Sequence, residues 1–195
     1  NLIIKRSLAS GGALKKLIII TCRPTHITPS ERYQYLYFKH LNYRRQNFDK
    51  KSLKALLAAI KIEEKYNLNP DFRVYGDLGW HYSIMKKMEK AKNAYLRTLD
   101  INPDACFAYY GCALIYQKTE DNINAMIAFN NYINCETDSP NLIKAYFLRS
   151  KLKAETNDMS FCDDLRRACD LGSTLTYDPE SGFSKATQSA CEKMK

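Results

Sequence analysis

A period of 34 residues across the middle of the chain constrains this sequence more than any other feature. Tyr75 returns as Tyr109, Tyr82 as Tyr116, Ala91 as Ala125 and Tyr95 as Phe129, and Leu78-Gly79 is echoed by Cys112-Ala113. Positions that keep their residue character at one fixed interval mark stacked units, each too small to bury its apolar face alone. Apolar residues inside each unit recur at helical spacing. The chain is therefore predicted to be all-α, a solenoid of helix pairs. Seven glycines and six prolines in 195 residues suit short turns between helices better than a many-stranded sandwich.

The first clear copy reads Tyr75-x-x-Leu78-Gly79-x-x-Tyr82, then Ala91-x-x-x-Tyr95, then Pro103. The second reads Tyr109-x-x-Cys112-Ala113-x-x-Tyr116, then Ala125-x-x-x-Phe129, with Pro140 three residues late. This pattern resembles the tetratricopeptide repeat family, whose unit runs Trp-x-x-Leu-Gly-x-x-Tyr, Ala-x-x-x-Phe and Pro. Small residues at Gly79, Ala91, Ala113 and Ala125 suit close helix approach, and the rings fill the gaps between neighbouring helices. A divergent third copy places Tyr146 37 residues after Tyr109, with Arg149-Ser150 for the Leu-Gly pair and Lys153 for the tyrosine. Its second helix, Cys162 to Gly172, is similar to C-terminal repeats of small bacterial members. The hairpin before the first clear copy, Ser30 to Pro70, lacks the Leu-Gly pair. Ser30 is expected to cap its first helix, with Glu31 in the first turn; Tyr33, Tyr37, Leu41 and Arg44 recur along that helix, and Leu53, Leu56, Leu57, Ile60 and Tyr66 along the second.

The resemblance covers residues 31–172 and is most specific over 72–140. It implies a right-handed α-solenoid of three to four helical hairpins. Residues 1–30, with Gly11-Gly12, Pro24 and Pro29, read as a leader or flexible arm. Residues 173–195 read as a loop and a capping helix, over about Phe183 to Met194, that covers the last apolar face.

The net charge of +9 is concentrated at one end. Up to Pro70 there are 14 Lys and Arg against 4 acids; beyond it, 16 against 17. Such asymmetry points either to a solvated basic helix face or to an acidic, nucleic-acid or anionic-membrane contact. The seven cysteines include no Cys-x-x-Cys pair, and none of the three histidines lies close to a cysteine pair, which disfavours a zinc site. Most fall at apolar positions of helical patterns, where cysteine acts as a small hydrophobe. A reducing, cytoplasmic setting is the simpler expectation. The alternative is export with lipid anchoring at Cys22. Lys15-Lys16 before Leu17-Ile18-Ile19-Ile20-Thr21-Cys22 resemble a truncated bacterial lipoprotein signal, with an apolar run shorter than the usual ~7–15 residues. No stretch reaches the ~18 apolar residues of a membrane-spanning helix.

No phosphate-binding glycine loop, nucleophile elbow or paired-histidine zinc motif is present, so no catalytic residue, metal or cofactor is expected. His81 is read as a solvated helix-surface residue, and a pairing with Cys106 or Cys112 as remote. Asp163-Asp164 is read as a charged helix face. The expected function is a non-enzymatic scaffold that binds a protein or peptide. The resemblance implies that the first helix of each hairpin lines the concave side. Carried over, this selects Tyr37 and Leu41; Arg73, Gly76 and Trp80; Phe107, Tyr110 and Leu114; and Lys144, Phe147 and Lys151. Their i, i+3, i+4, i+7 spacing puts each set on one helical face, and aromatic rings with arginine are favoured at binding hot spots. The lysine and asparagine clamp with which some members hold acidic chaperone tails is not matched. The alternative is RNA or another polyanion held by the N-terminal third, where Tyr33, Tyr35, Tyr37, Phe38 and Tyr43 interleave with Lys39, His40, Arg44 and Arg45.

Overall fold

The computed structural model describes residues 27–137 and 139–171. These residues form eight α-helices and no strand: α1 (Pro29–Arg45), α2 (Asp49–Tyr66), α3 (Phe72–Ile84), α4 (Met88–Ile101), α5 (Cys106–Lys118), α6 (Asn122–Cys135), α7 (Pro140–Glu155) and α8 (Phe161–Asp170). They pair as α1–α2, α3–α4, α5–α6 and α7–α8, and the hairpins meet through α2 with α3, α4 with α5, and α6 with α7. First helices also touch directly, α3 against α5. The expected capping helix, Cys22 and most of the leader lie outside the described residues.

The first helix starts two residues earlier than the sequence suggests. Thr28, rather than Ser30, is the N-cap: its hydroxyl accepts from the Glu31 backbone N–H at 3.2 Å, and Glu31 returns a carboxylate to the Thr28 N–H at 3.0 Å. Pro29 occupies the first helical position, where its missing N–H costs nothing. Asp71, Asp121 and Ser139 cap α3, α6 and α7 with side-chain oxygens.

One turn is used four times. The residue after each first helix's C-cap is left-handed: Asn47, Lys86, Glu120 and Asn157, with φ of 58°, 57°, 59° and 56°. The next N–H then reaches back five residues, from Phe48 to Tyr43, Lys87 to Tyr82, Asp121 to Tyr116 and Asp158 to Lys153, each at 2.9 Å. Main-chain bonds make this turn, so it tolerates Asn, Lys or Glu at its centre. It also fixes the register of the weak first copy. Tyr43 occupies the place of Tyr82, so His40 and Ser52 occupy the places of Gly79 and Ala91.

The core is built from the expected small and large positions. Ala91, Ala113, Ala125 and Phe129 are fully buried, with Tyr132 and Ala145 beside them. Leu56, Ala59, Val74 and Leu78 join the first two hairpins. Tyr95 of α4 reaches between α3 and α5, one ring edge against Gly79 and the other against Gly111. Leu57 and Tyr66, read from spacing as helix-face residues of α2, are exposed.

Candidate functional site

The first helices carry the surface that the sequence nominates, but its positions divide into three registers. The outermost is Arg73, Phe107 and Lys144, all exposed. Phe107 lies on Gly76 of the preceding hairpin, where a Cβ would come within 2.5 Å of its ring, and stacks on Phe72 at 6.4 Å. Gly76 is thus a seat for the ring rather than a contact residue. Arg73 forks onto its own N-cap, Asp71, through Nε at 2.9 Å and a terminal nitrogen at 2.6 Å. This pairing holds Asp71 below the usual carboxylate range despite its partial burial.

The second register, Trp80, Leu114 and Lys151, is half-buried. The Arg44 guanidinium lies over the Trp80 indole at 4.4 Å from the ring centre, and the His81 ring meets its edge at 4.9 Å. Arg44 and Trp80 therefore form one cation–π unit across the first two hairpins.

The third register, Gly76, Tyr110 and Phe147, faces inward. Phe147 is buried, in a cluster with Phe161, Cys162 and Leu165 of α8, so it is a core residue and not available to a partner. Its helical spacing matches the expected set, but the face it occupies is the one that packs on the hairpin's own second helix, not a concave face open to a partner. Tyr110 is half-buried against Phe129 and Tyr132 of α6, with centroids at 6.5 and 4.9 Å. Burial pushes its hydroxyl up to about 12. Tyr37 is half-buried too, and its hydroxyl donates to Asp77 at 3.1 Å.

Asp77 is the centre of a network that sequence reasoning missed. It accepts from Tyr37, from His40 Nε2 at 3.1 Å and from Arg44. His40 Nδ1 faces the Ser52 hydroxyl at 2.9 Å, and that oxygen faces His81 Nε2 at 3.2 Å. One assignment satisfies every group: Nε2–H of His40 donates to Asp77, the Ser52 hydroxyl donates to His40 Nδ1, and Nε2–H of His81 donates to Ser52. Aspartate, histidine and serine here share the connectivity of a nucleophilic triad. Ser52 and His40 are fully buried, however, so the serine oxygen has no open approach. What the network does is tie α1, α2 and α3 together and hold Arg44 beneath Trp80. His81, expected on the surface, is buried, and its affinity for a proton is lowered by loss of water and then by His40. The available signal was positional: His40 replaces a signature glycine and Ser52 a signature alanine, so a polar pair fills the space that small residues leave elsewhere.

Two further expectations change. Asp164 is a buried acceptor for Arg149 at 2.5 and 2.7 Å and for Lys153 at 3.0 Å, while Asp163 pairs with Arg166. Cys106 and Cys135 are joined in a disulfide between the start of α5 and the end of α6, rather than serving as free small hydrophobes. A cleft of about 540 Å³ opens beside it, lined by Pro103, Asp104, Tyr109, Asn131 and Asn134. Cys112 is buried as a free thiol and pushed up to about 12, far from the thiolate a nucleophile needs. Among the described residues no acid, histidine and cysteine cluster could hold a metal, and no helix is long and apolar enough to cross a membrane.

The sequence matches no family model and no curated protein. Solved structures are similar in fold. BtubC from P. vanneervenii is 15% identical, with a TM-score of 0.67 over 80% of this chain and 70% of that one. A tetratricopeptide repeat protein from Parabacteroides merdae is 17% identical, with a TM-score of 0.64 over 84% and 60%. The first tetratricopeptide domain of Spaghetti (RPAP3), solved bound to an HSP90 peptide, is 12% identical, with a TM-score of 0.55 over 69% and 99%. Likeness at such identities speaks to fold, and with the 34-residue period and four matching turns it leads to one conclusion: this chain is a solenoid of tetratricopeptide-type helical hairpins.

Proposed function

We propose that the chain is a non-catalytic interaction scaffold that holds an extended peptide, or an extended segment of a partner protein, along its first helices. The observation that carries this reading is the pair of supported aromatic sites, Trp80 over Arg44 and Phe107 on Gly76, on neighbouring first helices. Gly76 and Trp80 are four residues apart on α3, so both sites share one helical face. Phe107 remains 46% exposed although it has a fixed seat. A ring held in place and still open to solvent binds with little ordering cost. Lys144 and Lys151 continue the surface on α7 and favour a segment with acidic residues toward that end. The peptide-bound neighbour supports the mode of binding, not the identity of the partner.

Peptides selected from a random displayed library against the full chain test this. Trp80→Ala and Phe107→Ala should each weaken selected peptides by about tenfold or more, as for an aromatic hot spot, while the melting temperature of Phe107→Ala stays near that of the parent. Peptides that bind equally well to both variants would place the contact elsewhere.

A further inference from the structure

The first hairpin carries a surface that the groove does not use. Helices α1 and α2 hold nine Lys and Arg against four acids, and among the described residues Arg44 is the only one of the nine with an ion-pair partner. The later hairpins pair Arg73, Lys92, Arg149, Lys153 and Arg166 with acids. The unpaired cations are interleaved with rings. Lys39 lies over Tyr35 at 5.8 Å and Tyr43 at 5.9 Å, and Lys51 over Tyr43 at 6.0 Å and Phe48 at 4.8 Å. This ribbon crosses from α1 to α2. Lys50, Lys54 and Lys61 repeat along one face of α2. Phe38 is 64% exposed and Phe48 47%.

We propose that this outer edge of the first hairpin docks onto an anionic lipid surface, with the lysines against the headgroups and Tyr35, Phe38 and Phe48 at headgroup depth. Three observations favour lipid over a nucleic-acid strand. Lysine ammonium groups already occupy faces of Tyr35, Tyr43 and Phe48, the faces on which bases would stack. The cations are mostly lysines, point charges suited to a diffuse anionic plane rather than to forked phosphate contacts. The 26 residues before the edge add five more cations and no acid, together with the apolar run Leu17 to Ile20. They share the sign of the edge and cannot neutralise it. Basic and apolar residues in combination are what interfacial anchoring needs, whereas a nucleic acid has no use for the apolar run. Docked this way, the chain would leave Phe107 and the later hairpins projecting from the surface.

The test is co-sedimentation of the full chain with phosphatidylcholine vesicles, with and without about 30% phosphatidylglycerol. The chain should partition at least tenfold more strongly onto the anionic vesicles and be released by about 0.5 M salt. Lys50→Glu combined with Lys54→Glu should lower partitioning about tenfold, and Phe38→Ser severalfold. None of these exposed side chains packs in the core, so thermal melting and peptide binding at Trp80 should not change. Equal partitioning onto neutral vesicles overturns the proposal. Undiminished binding by the lysine variant also overturns it, since residues ahead of Thr28 would then carry the contact. So does a single-stranded oligouridine of about 20 nucleotides that binds more tightly than the vesicles at the same salt.

Discussion

Replacing Gly111 with alanine should destabilise the solenoid by about 2 kcal/mol, although alanine is the better helix former. In an open helix interior the change would stabilise by about 1 kcal/mol. Here the added Cβ would stand 2.6 Å from Cε2 and Cζ of Tyr95, against 3.4–4 Å for ordinary contact. The ring must therefore retreat by most of an ångström. It has nowhere to go, because its other edge lies 2.8 Å from the corresponding point at Gly79 and the residue is only 7% exposed. Forcing volume into a closed site costs about 1–3 kcal/mol, and pinning from both sides puts this one at the upper end. Subtracting the propensity gain leaves the net loss. Urea unfolding followed by far-ultraviolet circular dichroism measures it as a lowered midpoint. The control is a sign reversal: in a Tyr95→Ala background, itself about 3–5 kcal/mol less stable, Gly111→Ala should stabilise by about 1 kcal/mol. The implied coupling of about 3 kcal/mol suits residues in direct contact. If Gly111→Ala raises stability in the parent chain, the ring is not wedged between hairpins and the packing argument fails.

Acidification should loosen the joint between the first two hairpins. Because burial and then His40 lower the proton affinity of His81 from its ordinary value of 6.5, the folded chain binds fewer protons than the unfolded chain below that pH. Its contribution is complete above pH 6.5 and is lost as pH falls from there toward the lowered value. His81→Gln should flatten the urea midpoint between about pH 7.5 and 5.5; an unaltered slope would assign the titration to another group. Opening the disulfide, by Cys106→Ala with Cys135→Ala, should cost about 3–4 kcal/mol, since the closed loop spans a sequence separation of 29; a change under about 1 kcal/mol in urea midpoint energy would show that the two ends are held without it. Lys86→Gly should stabilise by about 0.5–1 kcal/mol by relieving a side chain from φ of 57°, and a loss of stability on thermal melting would mean that the lysine side chain has a role in the turn.

The fold was legible where the repeat is spelled in side chains of distinctive size. Tyr75, Gly79, Tyr82 and Ala91 announced the second hairpin because a ring and a small residue at fixed spacing have few other uses. The first hairpin hid itself because it solves the same packing problem with chemistry: His40 and Ser52 bond across the gap that Gly79 and Ala91 close by proximity. Its turn is identical, but main-chain bonds leave no mark on residue type. The surface was legible only in part. Helical spacing groups Tyr110 with Phe107, yet cannot say which of two adjacent registers faces the partner helix. The registers diverge because α6 and α8 draw Tyr110 and Phe147 inward. The disulfide was concealed because Cys106 and Cys135 are unremarkable as a spaced pair. They meet only because an antiparallel hairpin returns the end of its second helix to the start of its first.

That bridge also changes what the chain is as a polymer. A motor or protease that unravels the protein into the third hairpin meets a closed loop between Cys106 and Cys135. It must thread a doubled strand at that point or stop. Pulled from both sides of this bridge, the oxidised chain is shorter there by about 100 Å, the reach of the residues sealed inside the loop at ~3.5 Å each. The third hairpin thus holds a loop of fixed size that pulling alone does not open.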